Sequence, residues 1–152
     1  MLSLLLMFSG YVANSRDNTP YASVEPTLIA VVNRASWCQV CKANGDRAGA
    51  VLMSYTDKGL RVFINDLTDT ASVKASEAAL RKAHLYDAVY TSPRKGLALI
   101  MQHCGLLKSN GQRPVPTGII TFIDPRSHKR LKQVSIAIPD KEMKADIETM
   151  LK

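Results

Sequence analysis

The sequence predicts a single α/β domain with a central mixed β-sheet flanked by helices. An apolar run at 27–32 is typical of a buried strand, a helical pattern follows it, and 60–66 forms a second strand pattern. This order implies a parallel pair joined by a right-handed crossover. Near the C-terminus, the strand patterns at 118–123 and 131–138 are joined by the turn residues of a hairpin. The sheet is therefore expected to combine parallel and antiparallel strands.

Length and composition agree with one folded domain. The 152 residues are 46% hydrophobic, which is enough for a sizeable core and far from a disordered composition. The net charge is +7, and three cysteines are too few for a disulfide-stapled scaffold. These values exclude a collagen, a coiled coil and a protein that spans a membrane several times.

The first 15 residues are predicted to be a secretory signal. Leu2–Phe8 is the most apolar run of the chain, and no charged side chain precedes Arg16. The run is shorter than the 20 or so apolar residues that span a membrane. Ala13 and Ser15 place small residues before a cleavage point. This interpretation predicts a periplasmic or secreted protein without stable membrane insertion after signal cleavage. A leucine-rich first helix or a misplaced start codon is the alternative, with a cytoplasmic location.

The remaining elements follow from local patterns. Residues 16–25 are expected to form a linker or edge segment, and the domain is expected to span 26–152. The first helix should end near Lys58-Gly59, and a second is predicted over 71–86. Further helical patterns run from Ser92-Pro93 to Asn110-Gly111, and from Pro139-Asp140 to the C-terminus with Met143 and Ile147 facing inward.

One motif, Trp37-Cys38-Gln39-Val40-Cys41, lies between the first strand and its helix. Two cysteines separated by two residues on the first turn of a helix can close a small disulfide ring. Unpaired N–H groups and the positive end of the helix dipole favour a thiolate at Cys38. Cys38 is therefore expected to be the more exposed, attacking sulfur, and Cys41 the resolving one.

Other chemistry for the cysteine pair has less support in the sequence. A structural zinc site needs a second ligand pair at metal-like spacing, and the candidates His103 and Cys104 are adjacent. Haem attachment needs a histidine where Lys42 stands. A structural disulfide or two unreactive thiols is the third alternative. We expect no metal and no cofactor, and we expect Cys104 to be a buried core thiol.

At these residues the chain resembles the thioredoxin superfamily, whose members carry a Trp-Cys-x-x-Cys motif between a core strand and a helix. A second family signature, a cis-proline before the next core strand, matches Val115-Pro116-Thr117. The resemblance covers about residues 25–152. It implies a thioredoxin-like fold, with a helical insertion at about 87–112 before the cis-proline strand. It also implies that Trp37 shapes the site and that Val115, Pro116 and Thr117 align an extended substrate.

The resemblance further implies thiol–disulfide exchange with protein substrates, and we expect the chain to act as a reductant. A disulfide-donating oxidase is one alternative. Another is a non-enzymatic module that docks proteins or holds a metal ion. The expected partners are protein thiols or disulfides and a redox partner protein, with the chain itself monomeric. Nucleic acid is not expected, because the basic residues at 126–132 lack the aromatic side chains that stack on bases. Gln39-Val40 replaces the glycine-proline of ordinary thioredoxins, and their buried aspartate and lysine are missing.

Overall fold

A computed structural model describes residues 25–90 and 115–152. Its elements are, in chain order, β1 (Leu28–Arg34), α1 (Gln39–Met53), a 3₁₀ helix (Thr56–Lys58), β2 (Leu60–Asp66), α2 (Thr70–Lys82), α3 (Tyr86–Tyr90), β3 (Ile119–Ile123), β4 (Arg130–Ser135) and α4 (Asp140–Met150). The predicted signal at 1–15, most of the predicted linker and the predicted helix from Ser92, with Cys104, lie outside the described residues. Across the described ranges, no helix is long and apolar enough to cross a membrane.

The four strands form one mixed sheet in the order β2-β1-β3-β4. β1 and β2 are parallel, as the crossover through α1 requires, and β3 is antiparallel to both β1 and β4. The sheet confirms the predicted α/β class. Asn33 lies beside Asn65 of β2 on one side and beside Ile119 of β3 on the other. The ends of three strands therefore meet at Asn33.

The central strand β1 is buried on both faces of the sheet, as its apolar run predicts. Leu28, Ala30 and Val32 belong to a core cluster shared with α1 and α4. Ile29 and Val31 point the other way, into a second cluster that includes residues of α2 and α3. This alternation follows from the two-residue period of a strand. Helices thus pack on both faces of β1, and the cysteine motif lies shortly after the end of this strand.

Two helices end earlier than the sequence patterns predict. α1 ends at Met53, and the 3₁₀ helix after it ends at Lys58 and is followed by Gly59, whose φ of 97° is left-handed. The helix predicted over 71–86 is wrong in its C-terminal part, because α2 ends at Lys82. There His84 takes a φ of 58°, and the Leu85 N–H donates to the Leu80 carbonyl at 2.8 Å. This is the Schellman arrangement, which satisfies the free carbonyls of the helix end.

Candidate active site

Cys38 is the N-cap residue of α1. Its backbone is extended, and its sulfur accepts a hydrogen bond from the Cys41 N–H at 3.2 Å. An N-cap side chain normally satisfies one of the free N–H groups of a first helical turn, and here a sulfur takes that place. Both cysteines are free thiols in this structure. The predicted position of the pair on the first turn of a helix is therefore confirmed.

The surroundings of the two sulfurs move their pKa values in opposite directions. Burial raises the pKa of the Cys38 thiol, but hydrogen bonds from Cys41, from the Thr117 side chain and from the Cys41 and Val40 backbone outweigh burial and lower it overall. Burial is also the main reason that the pKa of Cys41 is raised, and the neighbouring Cys38 adds to the effect. Thiolate therefore forms first at Cys38.

The relative exposure of the two cysteines is the reverse of the prediction. Cys38 is buried, with 7% of its surface exposed, whereas Cys41 is partly exposed. The reason is the N-cap position, which directs the Cys38 sulfur back over the first helical turn, where it accepts the Cys41 N–H. Cys41 instead lines a groove of about 370 Å³ beside α1.

The loop before the cysteine motif is attached to the turn that follows β2. The indole N–H of Trp37 donates to the Thr68 carbonyl at 3.2 Å, and the Ser36 N–H donates to the Thr68 hydroxyl at 3.0 Å. Asp66 in turn accepts a hydrogen bond from the Thr68 N–H at 3.0 Å. Trp37 keeps 59% of its surface exposed. It therefore stands beside Cys38 as an anchored apolar surface, where the sequence places it.

The segment before β3 borders the cysteines on the other side. The Thr117 side chain acts to lower the pKa of the Cys38 thiol, and the Gly118 backbone acts to lower the pKa of Cys41. A Cβ on Gly118 would lie 3.3 Å from the Val40 side chain, and its φ of 73° is left-handed. The structure thus brings the predicted residue Thr117 to the cysteines. Gly118 is a site residue that the sequence reasoning missed.

Pro116, the residue before Thr117, differs from its predicted geometry. The described residues contain no cis peptide bond, so the predicted cis bond before Pro116 is wrong. Trans is the lower-energy isomer of such bonds by about 0.5–1 kcal/mol, and the chain instead changes direction at the left-handed Gly118. Pro116 is exposed, and its carbonyl accepts a hydrogen bond from the Asn33 side chain. The side chain of Val115 is half-buried against the second core cluster.

Three solved structures are similar to this chain. The thioredoxin-like protein Trxlp of Edwardsiella tarda EIB202 is 14% identical, with 84% of this chain and 85% of that chain covered and a TM-score of 0.42. Malassezia sympodialis thioredoxin (Mala s 13) is 12% identical, with coverage of 84% and 80% and a TM-score of 0.42. A thiol:disulfide interchange protein of the thioredoxin family from Chlorobium tepidum TLS is 15% identical, with coverage of 83% and 81% and a TM-score of 0.46. No family model and no curated protein sequence matches the chain.

The architecture itself decides the fold. A mixed sheet flanked by helices carries the cysteine pair where β1 meets α1, and the segment before β3 lies against that pair. The chain has a thioredoxin-like fold. Among the residues that the structure describes, no histidine, aspartate or glutamate joins the two cysteines in a group of three that could hold a metal ion.

Asn33 and Asn65 also belong to the surroundings of the site, although the sequence reasoning did not single them out. Both are completely buried. A signal was present in the sequence, because each is an amide that follows a run of apolar residues near the end of a strand. Their direct pairing depends on strand register, which the sequence pattern does not supply.

Proposed function

We propose that the chain is a thiol–disulfide oxidoreductase that reduces disulfides in protein substrates. The position of the Cys38 sulfur at the N-cap of α1 carries this proposal. A thiolate is the attacking species in disulfide exchange, and helix N-termini stabilise thiolates. The lowered pKa of Cys38 and the raised pKa of Cys41 support the same division of roles. Cys38 attacks the substrate, and Cys41 resolves the intermediate.

The exchange takes two steps. The Cys38 thiolate attacks one sulfur of the substrate disulfide and forms a mixed disulfide, while the other substrate sulfur leaves as a thiolate. Cys41 loses its proton to solvent in the groove that it lines, attacks the Cys38 sulfur and releases the second substrate thiolate. Two electrons pass to the substrate, whose thiolates take up protons, and Cys38 and Cys41 become a disulfide. A redox partner protein then returns two electrons to the pair.

An apolar surface beside Cys38 supports a protein as the substrate. Trp37 and Val40 flank Cys38 in the chain, and each keeps a large exposed fraction, 59% and 44%. Exposed aromatic side chains are common anchors of protein interfaces. Val115, Pro116 and Thr117 would border the bound segment on the opposite side. We propose that the chain acts as a monomer and that its predicted signal directs it to the periplasm or outside the cell.

Two serine variants test the chemistry. Cys38→Ser should abolish reduction of insulin disulfides, and Cys41→Ser should accumulate a mixed disulfide on Cys38, detectable by mass spectrometry. Cys104→Ser is the matched control and should retain activity. Unchanged reduction by Cys38→Ser would overturn the proposal that this sulfur is the nucleophile. Absence of insulin reduction by the unsubstituted protein would instead favour a protein-docking or metal-holding module.

The disulfide-donating direction is the second candidate, and the lowered pKa of Cys38 favours it. A stabilised thiolate stabilises the reduced pair, so the oxidised pair accepts electrons more readily. Equilibration of the cysteine pair with glutathione measures its reduction potential. A potential near about −270 mV indicates a reductant, and one near about −120 mV indicates an oxidase.

A further inference from the structure

The buried amides of Asn33 and Asn65 form a hydrogen-bonded pair inside the sheet. The Asn65 side-chain N–H donates to the Asn33 side-chain oxygen at 2.9 Å, and neither residue has exposed surface. Burial of an amide is unfavourable unless its polar atoms are hydrogen-bonded. The hydrogen bond between the two amides leaves the Asn65 side-chain oxygen and the Asn33 side-chain N–H to be satisfied, and both have partners.

These partners give the chain of hydrogen bonds a single direction. The Tyr90 hydroxyl donates to the Asn65 side-chain oxygen at 3.3 Å, and the Asn33 side-chain N–H donates to the Pro116 carbonyl at 3.3 Å. A carbonyl can only accept, so the Asn33 nitrogen must face Pro116. The Asn33 oxygen then faces Asn65 and requires a donor there. The orientation of both amides follows from the Pro116 carbonyl.

The segment at the end of this chain of hydrogen bonds is the one that contacts the cysteines. Asn33 holds it at two points, because its backbone carbonyl also accepts the Gly118 N–H at 2.7 Å. Thr117 lies between these two anchors, in a segment whose Gly118 approaches Val40 of the cysteine motif, and its side chain acts to lower the pKa of the Cys38 thiol. A substitution that removes only the Asn33 side-chain amide releases the anchor on Pro116 and keeps the one on Gly118.

We propose that Asn33 and Asn65 are positioning residues that hold Pro116 in place and thereby keep the Thr117 side chain on the Cys38 sulfur. The inference rests on the proposed function in that Cys38 is the attacking sulfur. Neither asparagine touches a reacting atom. Their effect reaches the sulfur through the geometry of 116–118, and loss of the anchor makes the Cys38 thiolate less stable.

The test measures the pKa of Cys38 in the reduced full-length protein, from the pH dependence of iodoacetamide labelling on the Cys38 peptide by mass spectrometry. Thr117→Val removes the hydroxyl and sets the largest shift expected, about 1–2 pH units upward for the loss of one hydrogen bond to a charged group. Asn33→Leu should raise the midpoint pH of Cys38 labelling by at least half of that shift. The double variant Asn33→Leu/Thr117→Val should shift no further than Thr117→Val alone, because both changes remove the same interaction.

A matched control separates positioning from general loss of stability. Thr121 is also completely buried in the sheet, and its hydroxyl accepts a hydrogen bond from Gln133 at 2.9 Å. Thr121→Val should weaken the fold and leave the labelling midpoint of Cys38 unchanged. If Asn33→Leu does not fold, the double variant Asn33→Leu/Asn65→Leu takes its place. It removes both amides together, so that no buried asparagine is left without its amide partner.

An unchanged labelling midpoint in Asn33→Leu overturns the inference. A midpoint in the double variant Asn33→Leu/Thr117→Val that is shifted by the sum of the two single shifts also overturns it. An equal shift in Thr121→Val overturns it as well. None of these measurements uses a substrate. Failure of insulin reduction in the unsubstituted protein would therefore contradict the proposed function and leave the positioning result standing.

Discussion

Substitution of Gly118 by alanine should both destabilise the domain and disturb the cysteine pair. The residue has a φ of 73°, which is the left-handed region, and its missing Cβ would lie 3.3 Å from Val40 and 3.6 Å from Ile136 side-chain carbons. Left-handed backbone costs a residue with a Cβ about 1–2 kcal/mol. The contact with Val40 is closer than the usual 3.5–4.0 Å or so between carbon atoms.

Backbone hydrogen bonds hold the Gly118 side of that contact in place. The Gly118 N–H donates to Asn33 at 2.7 Å, and its carbonyl accepts the Ile136 N–H at 2.8 Å. Relief of the contact must therefore displace Val40 and the start of α1. Overpacking of this kind costs about 1–3 kcal/mol, so Gly118→Ala should lower the free energy of unfolding by about 2–5 kcal/mol in total.

Urea unfolding followed by circular dichroism measures this loss, with Gly45→Ala and Gly49→Ala as matched controls. Both glycines lie in α1, and a Cβ on either would meet nothing within 4 Å. Alanine in a helix is favoured over glycine by about 0.5–1 kcal/mol, so the controls should be neutral or stabilised. A Gly118→Ala protein within about 0.5 kcal/mol of the unsubstituted one would refute the steric argument, since that is the size of an ordinary surface substitution.

Three further changes test other parts of the structure. The pKa of Asp66 is lowered in the folded protein, chiefly by its hydrogen bond with Thr68. Its carboxylate therefore stabilises the fold fully above the unfolded pKa of about 3.9, and this stabilisation is lost as the pH falls through the folded pKa. The difference in unfolding free energy between the unsubstituted protein and Asp66→Asn should accordingly be constant from pH 5 to 8 or so and shrink toward pH 3; a constant difference at pH 3 would contradict this. Leu80→Ala, at a site only 1% exposed, should lower the unfolding free energy by about 2–5 kcal/mol in urea titration, and a loss below about 1 kcal/mol would mean that the second core cluster repacks. Trp37→Phe loses the indole donor to Thr68 and should raise the KM for insulin while leaving the labelling midpoint of Cys38 unchanged, whereas a shifted midpoint would show that the indole acts on the sulfur.

Local patterns predict most of the described elements because those elements depend on neighbouring residues. The apolar run of β1, the cysteine motif at the start of α1 and the hairpin of β3 and β4 all lie where the sequence places them. The end of α2 does not, because His84 adopts a left-handed conformation in a chain that has no glycine there. The local pattern contains no signal for a histidine in that role.

The geometry of the candidate active site is also only partly predictable from local sequence patterns. The motif predicts a thiolate at Cys38, and the N-cap position agrees with it. It does not predict that Cys38 is more buried than Cys41, because burial depends on tertiary packing, which here brings Gly118 of a distant segment against Val40. It also does not predict the trans bond before Pro116, which accompanies the turn at Gly118.

The sequence by itself determined the α/β class and the place of the cysteine pair between β1 and α1, because strand and helix periodicity and the spacing of two cysteines are local properties. Only the tertiary structure decided what surrounds the pair. Strand register sets Asn33 beside Asn65, and packing seats Gly118 against Val40. These contacts join residues distant in the chain, and no local pattern specifies them. They exist because β1, β2 and β3 share one sheet, and that sheet brings the segment before β3 to the start of α1.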